Sequence, residues 1–355
     1  MKIVYDNQIF YNQIFGGPSR YFIELIKELT KINCQTKVIS PFHQNIYLKE
    51  LSPKLKIELT TKLSKNFFTN KLNLFTSNFF FKKFDHDIYH ATYFDKYYFS
   101  TKPKVITVYD LIHEKFNNEF NLNKFPKKNI INNVDHFLCI SENTKKDLIE
   151  YYNIDEKKIT VTHLASFVDN NQIIVNKTMH PFFLFVGSRK RYKNFRLLLQ
   201  AFSKLEDIKD NFEIICFGGG KFLKEEINYM KELSLNPAKI KNIQGSDKIL
   251  VSLYKQAEAL IYPSVYEGFG LPIIEAMSCG CPVISSNSSS LPEVYGTAAL
   301  SFENNSVENL THCINKISTD KTLRDLLIDK GFQRSKKFSW KKCAKETASV
   351  YKKLI

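Results

Sequence analysis

Several patterns that define common classes of protein are missing from this chain of 355 residues. No run of about eighteen apolar residues is present, so we expect no membrane-spanning helix. The start, Met1 to Asp6, lacks the apolar stretch of a secretion signal, which predicts a cytoplasmic protein. The seven cysteines include no C-x-x-C pair, and we expect them to be reduced and to bind no metal.

Two short motifs for cofactors and metals are missing as well. No G-x-G-x-x-G is present, and the predicted turn Gly218 to Gly220 has no third glycine in register, which argues against a dinucleotide-dependent dehydrogenase. The nearest approach to an Asp-x-Asp metal motif is Asp85-His86-Asp87, which we interpret as a turn that enters a strand. The sequence therefore predicts no metal site.

Acidic residues are outnumbered, and the formal net charge is +15. Because no recognition helix, zinc finger or RNA-binding signature accompanies this charge, we expect no nucleic-acid partner. Between Lys49 and Lys83, lysines interleave with phenylalanines. Such a segment either makes peripheral contact with the inner face of a membrane or forms amphipathic elements whose phenylalanines lie in the core. The second interpretation is favoured, and membrane contact stays a hypothesis.

Predicted strands and helices alternate along the chain. Strands are predicted at 3–5, 36–39, 87–90, 105–108 and 136–140, and again at 182–186, 213–217, 259–262 and 282–286. Apolar side chains at helical spacing predict a helix over 21–29, and Ser141 is placed to cap a helix over 142–151. This alternation predicts parallel sheets with helices on both faces, in two domains at 1–170 and 171–339. The polar stretch 169–172 is the predicted linker. In such sheets, ligands bind at the carboxyl ends of the strands.

The most informative segment places two carboxylates, Glu267 and Glu275, eight residues apart around a predicted helix start. Gly268 and Gly270 allow positive φ and close approach of the backbone to a ligand, and Pro272 suits a first helical turn. The amides of that turn would face an anion. The pattern suits a sugar phosphate, with the carboxylates on different parts of one ligand.

This segment resembles the E-x7-E signature of retaining glycosyltransferases of family 4, also called glycosyl transferases group 1, and is bacterial mannosyltransferase-like. The resemblance implies an α/β protein of the GT-B fold, with two doubly wound Rossmann-like domains that face each other across a cleft. Domain 1–170 would lie on the acceptor side and be completed by a C-terminal helix at about 340–355, and domain 171–339 would bind the nucleotide-sugar.

In the second domain, the resemblance implies contacts to each part of a nucleotide-sugar linked to GDP or UDP. Glu267 would contact the sugar, and Glu275 would accept hydrogen bonds from the ribose. A basic pair would bind the diphosphate, although Lys190 and Arg191 compete with the first member of that pair. Besides Glu275, the implied binding residues are Arg189 and Lys193 for the diphosphate, Gly245 and Ser246 for the base, and the amides of Gly268, Phe269, Gly270 and Leu271 for sugar and phosphate.

In the first domain, Gly16 and Gly17 resemble the family's glycine loop, which approaches the phosphate or the acceptor. The segment from 107 to 113 resembles the one that contacts the transferred sugar and holds a histidine beside an aspartate. Here Asp110 follows Tyr109 instead of that histidine, and His113 is the nearest histidine that follows. Glu267, Asp110 and His113 are the candidate catalytic residues.

The implied reaction is metal-independent transfer of a hexose, with mannose as one candidate, from a nucleotide-sugar to a surface-polysaccharide or lipid-linked glycan. No further cofactor is expected, because the nucleotide-sugar is itself the donor substrate. Two other functions stay open. One is a catalytically silent nucleotide-sugar-binding partner subunit, because Tyr109 replaces the family's histidine. The other is a sugar epimerase or phosphorylase on the same fold.

Overall fold

The computed structural model describes residues 1–59, 67–94, 100–116, 130–168, 180–189 and 191–355. The chain divides into two compact units. The first comprises Met1–Leu164 and Ser339–Ile355, and the second comprises Ala165–Phe338. The division therefore falls at 164/165, ahead of the boundary that the sequence placed at 170. The predicted linker at 169–172 lies outside the described residues.

The first unit contains a parallel sheet of seven strands in the order β3-β2-β1-β4-β5-β6-β7. All five strands that the sequence predicted here are present, and the short edge strands β3 and β7 were not predicted. The strands are β1 Lys2–Tyr5, β2 Gln35–Ile39, β3 Lys56–Ile57, β4 Ile88–Ala91, β5 Lys104–Val108, β6 His136–Cys139 and β7 Ile159–Val161.

Helices connect these strands. They are α1 Gln8–Asn12, α2 Gly17–Lys31, α3 Phe67–Lys83, α4 Ile112–Lys115 and α5 Glu142–Tyr152. On α2 the apolar side chains recur at helical spacing and are fully buried, as the sequence predicted. The predicted cap of α5 is also present, because the Ser141 side chain accepts a hydrogen bond from the Thr144 amide at 3.0 Å.

The second unit contains a parallel sheet of six strands in the order β10-β9-β8-β11-β12-β13. The strands are β8 Phe182–Val186, β9 Glu213–Phe217, β10 Ile240–Ile243, β11 Ala259–Tyr262, β12 Val283–Ser286 and β13 Leu300–Phe302. The helices are α6 Phe195–Ser203, α7 Glu206–Asn211, α8 Lys224–Glu232, α9 Asp247–Gln256, α10 Leu271–Ser278, α11 Leu291–Tyr295, α12 Val307–Thr319 and α13 Lys321–Ser335. Strand order reverses beside β8, which is where a doubly wound sheet opens a crevice at its carboxyl edge.

The last helix, α14 Trp340–Leu354, belongs to the first unit. Tyr351 lies within hydrogen-bonding distance of His90 Nδ1 on β4 (2.6 Å) and of the Tyr5 hydroxyl on β1 (3.3 Å). Burial lowers the pKa of His90 to about 3, so the imidazole is neutral and structural. The helix thus closes the first unit through buried, neutral hydrogen bonds.

Residues 67–83 of the segment rich in lysine and phenylalanine form α3, and the expectation that its phenylalanines lie in the core is wrong for three of them. Phe81 is buried as expected, but Phe68, Phe75 and Phe79 are exposed. Lys62 and Lys65 lie outside the described residues. Within the described part of the chain, no helix is both long enough and apolar enough to cross a bilayer.

Candidate functional site

A charged cluster lies at the carboxyl edge of the second unit's sheet, beside the strand-order reversal. The segment that follows β8 carries Lys193, and the segment that follows β11 carries Glu267. Their side chains form an ion pair with 2.5 Å between Nζ and Oε1. Because both side chains are only 13% exposed, solvent screens this pair less than it screens a surface pair. The sequence predicted both residues as site members but not that they pair.

Tyr262, the last residue of β11, lies beneath this pair. Lys193 Nζ donates to its hydroxyl oxygen at 3.0 Å, and burial raises the pKa of Tyr262 well above its ordinary value. An ammonium has three donors, so Lys193 can hold Glu267 and Tyr262 and still offer one proton to a ligand. Glu267 also forms a hydrogen bond with the Tyr262 hydroxyl, and because a carboxylate has about four acceptor positions, it can still accept from a ligand hydroxyl.

Two serines fix the loop that carries Glu267. Ser289 Oγ accepts from the Glu267 amide at 2.8 Å and lies 3.1 Å from its carbonyl oxygen. Ser290 Oγ lies 2.9 Å and 3.1 Å from the carbonyl oxygens of Glu267 and Phe269. Both serines follow β12, and the sequence reasoning missed them although three consecutive serines after a predicted strand were a visible signal.

Of the two glycines after Glu267, only Gly270 has a positive φ. Gly270 has a φ of +103°, and a Cβ there would lie 2.8 Å from Leu291 Cδ2, so a side chain would be strained. Gly268 is not among the residues with positive φ, which corrects the expectation for that position. Both glycines and Phe269 are buried, and Leu271 begins α10.

Glu275 lies in the second turn of α10, with Pro272 in the first turn as predicted. Its Oε2 accepts a hydrogen bond from the Tyr254 hydroxyl of α9 at 3.0 Å. Burial, together with the carboxylate, raises the pKa of Tyr254 well above its ordinary value, so the phenol stays protonated and donates. The two carboxylates therefore have different partners: a cation for Glu267 and a neutral phenol for Glu275.

Arg189 does not join Lys193. Its guanidinium pairs with Glu226 at 2.6 Å, and it also donates to the carbonyl oxygens of Gly218, Gly220 and Lys221 at 3.0 to 3.3 Å. This side chain is only 4% exposed. Its predicted contact with a diphosphate stays a prediction, and so do the alternatives, since Lys190 and the Arg191 side chain lie outside what the structure describes.

The turn that Arg189 holds has an unusual backbone. Gly218, Gly219 and Gly220 all have positive φ, from +73° to +91°. A Cβ on Gly219 would lie 2.8 Å from the Arg189 guanidinium, and Asn242 Nδ2 donates to the Gly218 carbonyl oxygen at 2.7 Å. The turn follows β9 next to the charged cluster, so Arg189 positions backbone at the edge of the site.

The two residues predicted for a base pocket also lie at the carboxyl edge of this sheet. Gly245 and Ser246 are exposed and join β10 to α9. Ser246 is the N-cap residue of α9, but its side chain makes no capping hydrogen bond. Its hydroxyl thus does not satisfy the helix end in the way that an N-cap serine commonly does.

In the first unit, Tyr109 brings two predicted segments together. Its hydroxyl donates to the Pro18 carbonyl oxygen at 3.4 Å, next to Gly16 and Gly17 at the start of α2, and its ring meets Tyr21 edge-on. Burial raises the pKa of Tyr109 well above its ordinary value. Tyr109 therefore stays protonated and packs against the start of α2.

Asp110 follows Tyr109 at the end of β5 and initiates a helical turn. Its Oδ1 accepts from the Ile112 amide at 3.1 Å, and α4, which begins at Ile112, carries His113. A helical turn thus begins just after Asp110 and carries His113, and the catalytic roles expected for these two residues stay predictions. Gln13, which sequence reasoning missed, accepts from the Ser19 amide at 3.2 Å at the start of α2.

Among the described residues, no three or more His, Cys, Asp or Glu side chains are grouped as they would be around a metal ion. Metal independence stays a prediction.

Two family models match consecutive parts of this chain. Glycosyltransferase Family 4 matches residues 15–165, and glycosyl transferases group 1 matches residues 168–334. O-antigen chain mannosyltransferase B of Escherichia coli is 31% identical over 229 residues, which are 61% of this chain and 60% of that protein. The O-antigen chain mannosyltransferase RfbU of Salmonella typhimurium is 31% identical over 50% of this chain and 49% of its own length. The match thus spans between half and about 60% of these relatives.

Solved structures extend the similarity to the whole fold. The Anabaena protein HepE, solved with UDP-glucose, superposes with a TM-score of 0.79 at 15% identity and full coverage of both chains. A glycosyltransferase from Rickettsia africae superposes with a TM-score of 0.73 at 22% identity, over 99% of this chain and 98% of that one. At these identities the likeness concerns the fold, which is the GT-B fold that the sequence predicted.

Proposed function

Because the chain belongs to the family 4-like glycosyltransferases of the GT-B fold, we propose that it transfers a hexose from a nucleotide-sugar to a glycan. The observation that carries this proposal is the cluster of Lys193, Glu267 and Tyr262 at the carboxyl edge of the second sheet. One cation with a donor to spare and one carboxylate with an acceptor to spare match a diphosphate joined to a sugar.

Each group in the cluster has a chemical task in this proposal. Lys193 neutralises charge that develops on the departing diphosphate, together with the amino-terminal end of α10. Glu267 accepts from sugar hydroxyls and fixes the ring. Glu275 accepts from the ribose, with its orientation set by Tyr254. These side chains are positioned before a ligand arrives, which is what stabilising a transition state requires.

The transfer is proposed to retain the configuration of the sugar, with the diphosphate leaving on the face that the acceptor hydroxyl approaches. The bond from the anomeric carbon to the diphosphate oxygen breaks, a bond to the acceptor oxygen forms on the same face, and the acceptor proton passes to the departing phosphate. Cations and helix amides supply the charge stabilisation, so the proposal includes no divalent metal.

Relatives support a narrower donor and acceptor. Two similar proteins are named O-antigen chain mannosyltransferases, which favours mannose and a surface polysaccharide or lipid-linked glycan. HepE was solved with UDP-glucose, so the candidate donors include UDP-linked as well as GDP-linked sugars. Because a lipid-linked acceptor lies on a membrane, the proposal includes peripheral contact with a bilayer.

The test combines a binding assay with a turnover assay. GDP or UDP and its hexose conjugate should raise the melting temperature, since a ligand that binds only the native state stabilises it. Glu275→Gln should weaken this stabilisation, whereas Glu308→Gln should not, because Glu308 is an exposed carboxylate elsewhere in the second unit. Release of diphosphate should then require a glycan acceptor.

Other outcomes would support other functions. Binding without transfer to any lipid-linked or polysaccharide acceptor would favour the silent partner subunit, which fits the neutral Tyr109 in place of the family histidine. Conversion of the donor sugar in the absence of acceptor would favour an epimerase. No stabilisation by any nucleotide-sugar would contradict the site itself.

A further inference from the structure

The helix α3 has a polar buried face. Thr69, Asn73 and Ser77 recur every four residues and are at most 2% exposed. Asn73 Nδ2 donates to the Phe42 carbonyl oxygen at 3.0 Å, and its Oδ1 accepts from the Phe42 amide at 3.4 Å. Thr69 Oγ1 lies 2.8 Å from the Tyr11 hydroxyl. Thr69 and Asn73 therefore attach the helix to the first unit through hydrogen bonds, beside the buried ring of Phe81.

The opposite face of α3 is aromatic and exposed. Phe68, Phe75 and Phe79 are exposed by 73%, 73% and 49%. They are seven and four residues apart, so they project from one side of the helix. A surface helix of a soluble domain normally has the reverse arrangement, with its apolar stripe inward. Contiguous exposed rings of this kind mark a surface that meets an apolar partner.

Lysines lie on the same side as the exposed rings. Lys71, Lys82 and Lys83 stand at helical spacings of three, four or seven from them, and all three are exposed. Lys83 Nζ lies 4.2 Å from the centre of the Phe79 ring. The sequence of α3, from 67 to 83, contains no Asp or Glu. These three phenylalanines and three lysines are called the Phe-Lys face below.

We propose that the Phe-Lys face docks on an anionic lipid bilayer. The rings would enter the headgroup region, and the lysines would contact lipid phosphates, which is the composition of a helix that lies in a membrane interface. Charge complementarity selects this occupant. A second copy of the chain, paired symmetrically through the same face, would bring lysines against lysines. The inference deepens the proposed function, because it specifies the surface that would hold the enzyme beside a lipid-linked acceptor.

Sedimentation with lipid vesicles tests the proposal directly. Full-length protein is mixed with vesicles of phosphatidylglycerol and phosphatidylethanolamine, or of phosphatidylcholine alone, without donor or acceptor. We expect binding to the anionic vesicles that weakens with added salt, and little binding to phosphatidylcholine. The double variant Phe75→Ser, Phe79→Ser should bind the anionic vesicles at least about tenfold more weakly. The double variant Lys82→Gln, Lys83→Gln should lose a similar factor in affinity at low salt.

Matched control variants distinguish binding through the Phe-Lys face from non-specific hydrophobic or electrostatic adsorption. Leu326→Gln removes an exposed apolar side chain from α13, and Lys341→Gln, Lys345→Gln removes two exposed lysines from α14; both should bind as the original chain does. The proposal is overturned if the original chain ignores anionic vesicles or if the Phe75→Ser, Phe79→Ser variant binds them equally well. It is also overturned if that variant instead converts a dimer to a monomer in light scattering. The vesicle assay contains no substrate, so a negative result would not contradict the proposed transfer reaction. Likewise, a protein that transfers no hexose should still bind the vesicles.

Discussion

The carboxyl edges of the two sheets handle charge in different ways. In the second unit, opposite charges lie side by side: Lys193 with Glu267, and Arg189 with Glu226. In the first unit, the fully buried Asp6 is held by Gln8, Thr92 and Tyr89, none of which carries charge. Burial raises the pKa of Asp6 in spite of these hydrogen bonds. The first edge holds its buried carboxyl with uncharged donors, whereas the second pairs Glu226 and Glu267 with cations.

Of the substitutions at the two edges, the one at Lys193 should have the largest effect on activity. Lys193→Met should reduce hexose transfer by about a hundredfold to a thousandfold, because it removes a charged donor from the developing diphosphate and leaves Glu267 unpaired. Lys241→Met is the matched control, since Lys241 forms an ion pair of similar length with Glu213 in the same unit. Equal rates in the two variants, measured by diphosphate release, would show that Lys193 is not in the site.

The second effect concerns stability in the first unit. Five donors converge on the Asp6 carboxylate, two from Gln8, two from Thr92 and one from Tyr89. Asp6→Asn substitutes a donor for one acceptor and should reduce the free energy of unfolding by about 2–4 kcal/mol. Denaturant titration measures this. A loss below about 1 kcal/mol would mean that the carboxylate is dispensable and that the first edge is not held as described.

Arg189 should show a smaller effect and a different kind of effect. Arg189→Lys keeps the charge but cannot reach Glu226 and three carbonyl oxygens at once, so it should destabilise the protein by about 1–3 kcal/mol. If Arg189 were instead a point charge for a diphosphate, the lysine would largely preserve nucleotide binding and the melting temperature would hardly change. Thermal melts with and without GDP or UDP distinguish the two roles.

The smallest effect is expected at Tyr109. Tyr109→Phe removes one hydrogen bond of 3.4 Å to the Pro18 carbonyl oxygen and keeps the packing against Tyr21. The free energy of unfolding should therefore fall by about 1 kcal/mol or less. Transfer should be nearly unchanged, because the substitution keeps the ring that packs against Tyr21 and removes only this hydrogen bond. A loss of transfer above about tenfold without a loss of stability would assign Tyr109 a chemical role.

Sequence periodicity predicted the inner strands of both sheets, because they are short, apolar and bounded by turns, but it missed the edge strands β3, β7, β10 and β13. It also located the start of α10 after the Glu267 loop, where Gly270 adopts a positive φ and Pro272 lies in the first helical turn. It could not show that Lys193 pairs with Glu267 or that Arg189 holds the Gly218 turn, because those partners are 74 and 29 residues apart in sequence. It also could not show which phenylalanines of α3 are exposed: Phe81 is buried, whereas Phe68, Phe75 and Phe79 lie on the face opposite Thr69, Asn73 and Ser77.

Calorimetric titration of GDP and UDP into three proteins tests the central claim most directly, that Lys193 serves the diphosphate and Glu267 serves the sugar. The original chain should bind one of the two nucleotides. Lys193→Met should bind it at least about tenfold more weakly, whereas Glu267→Gln should bind it as tightly or more tightly, since it leaves the cation without its carboxylate, while losing transfer. Unchanged nucleotide affinity in Lys193→Met, or equal loss of affinity in both variants, would contradict the account.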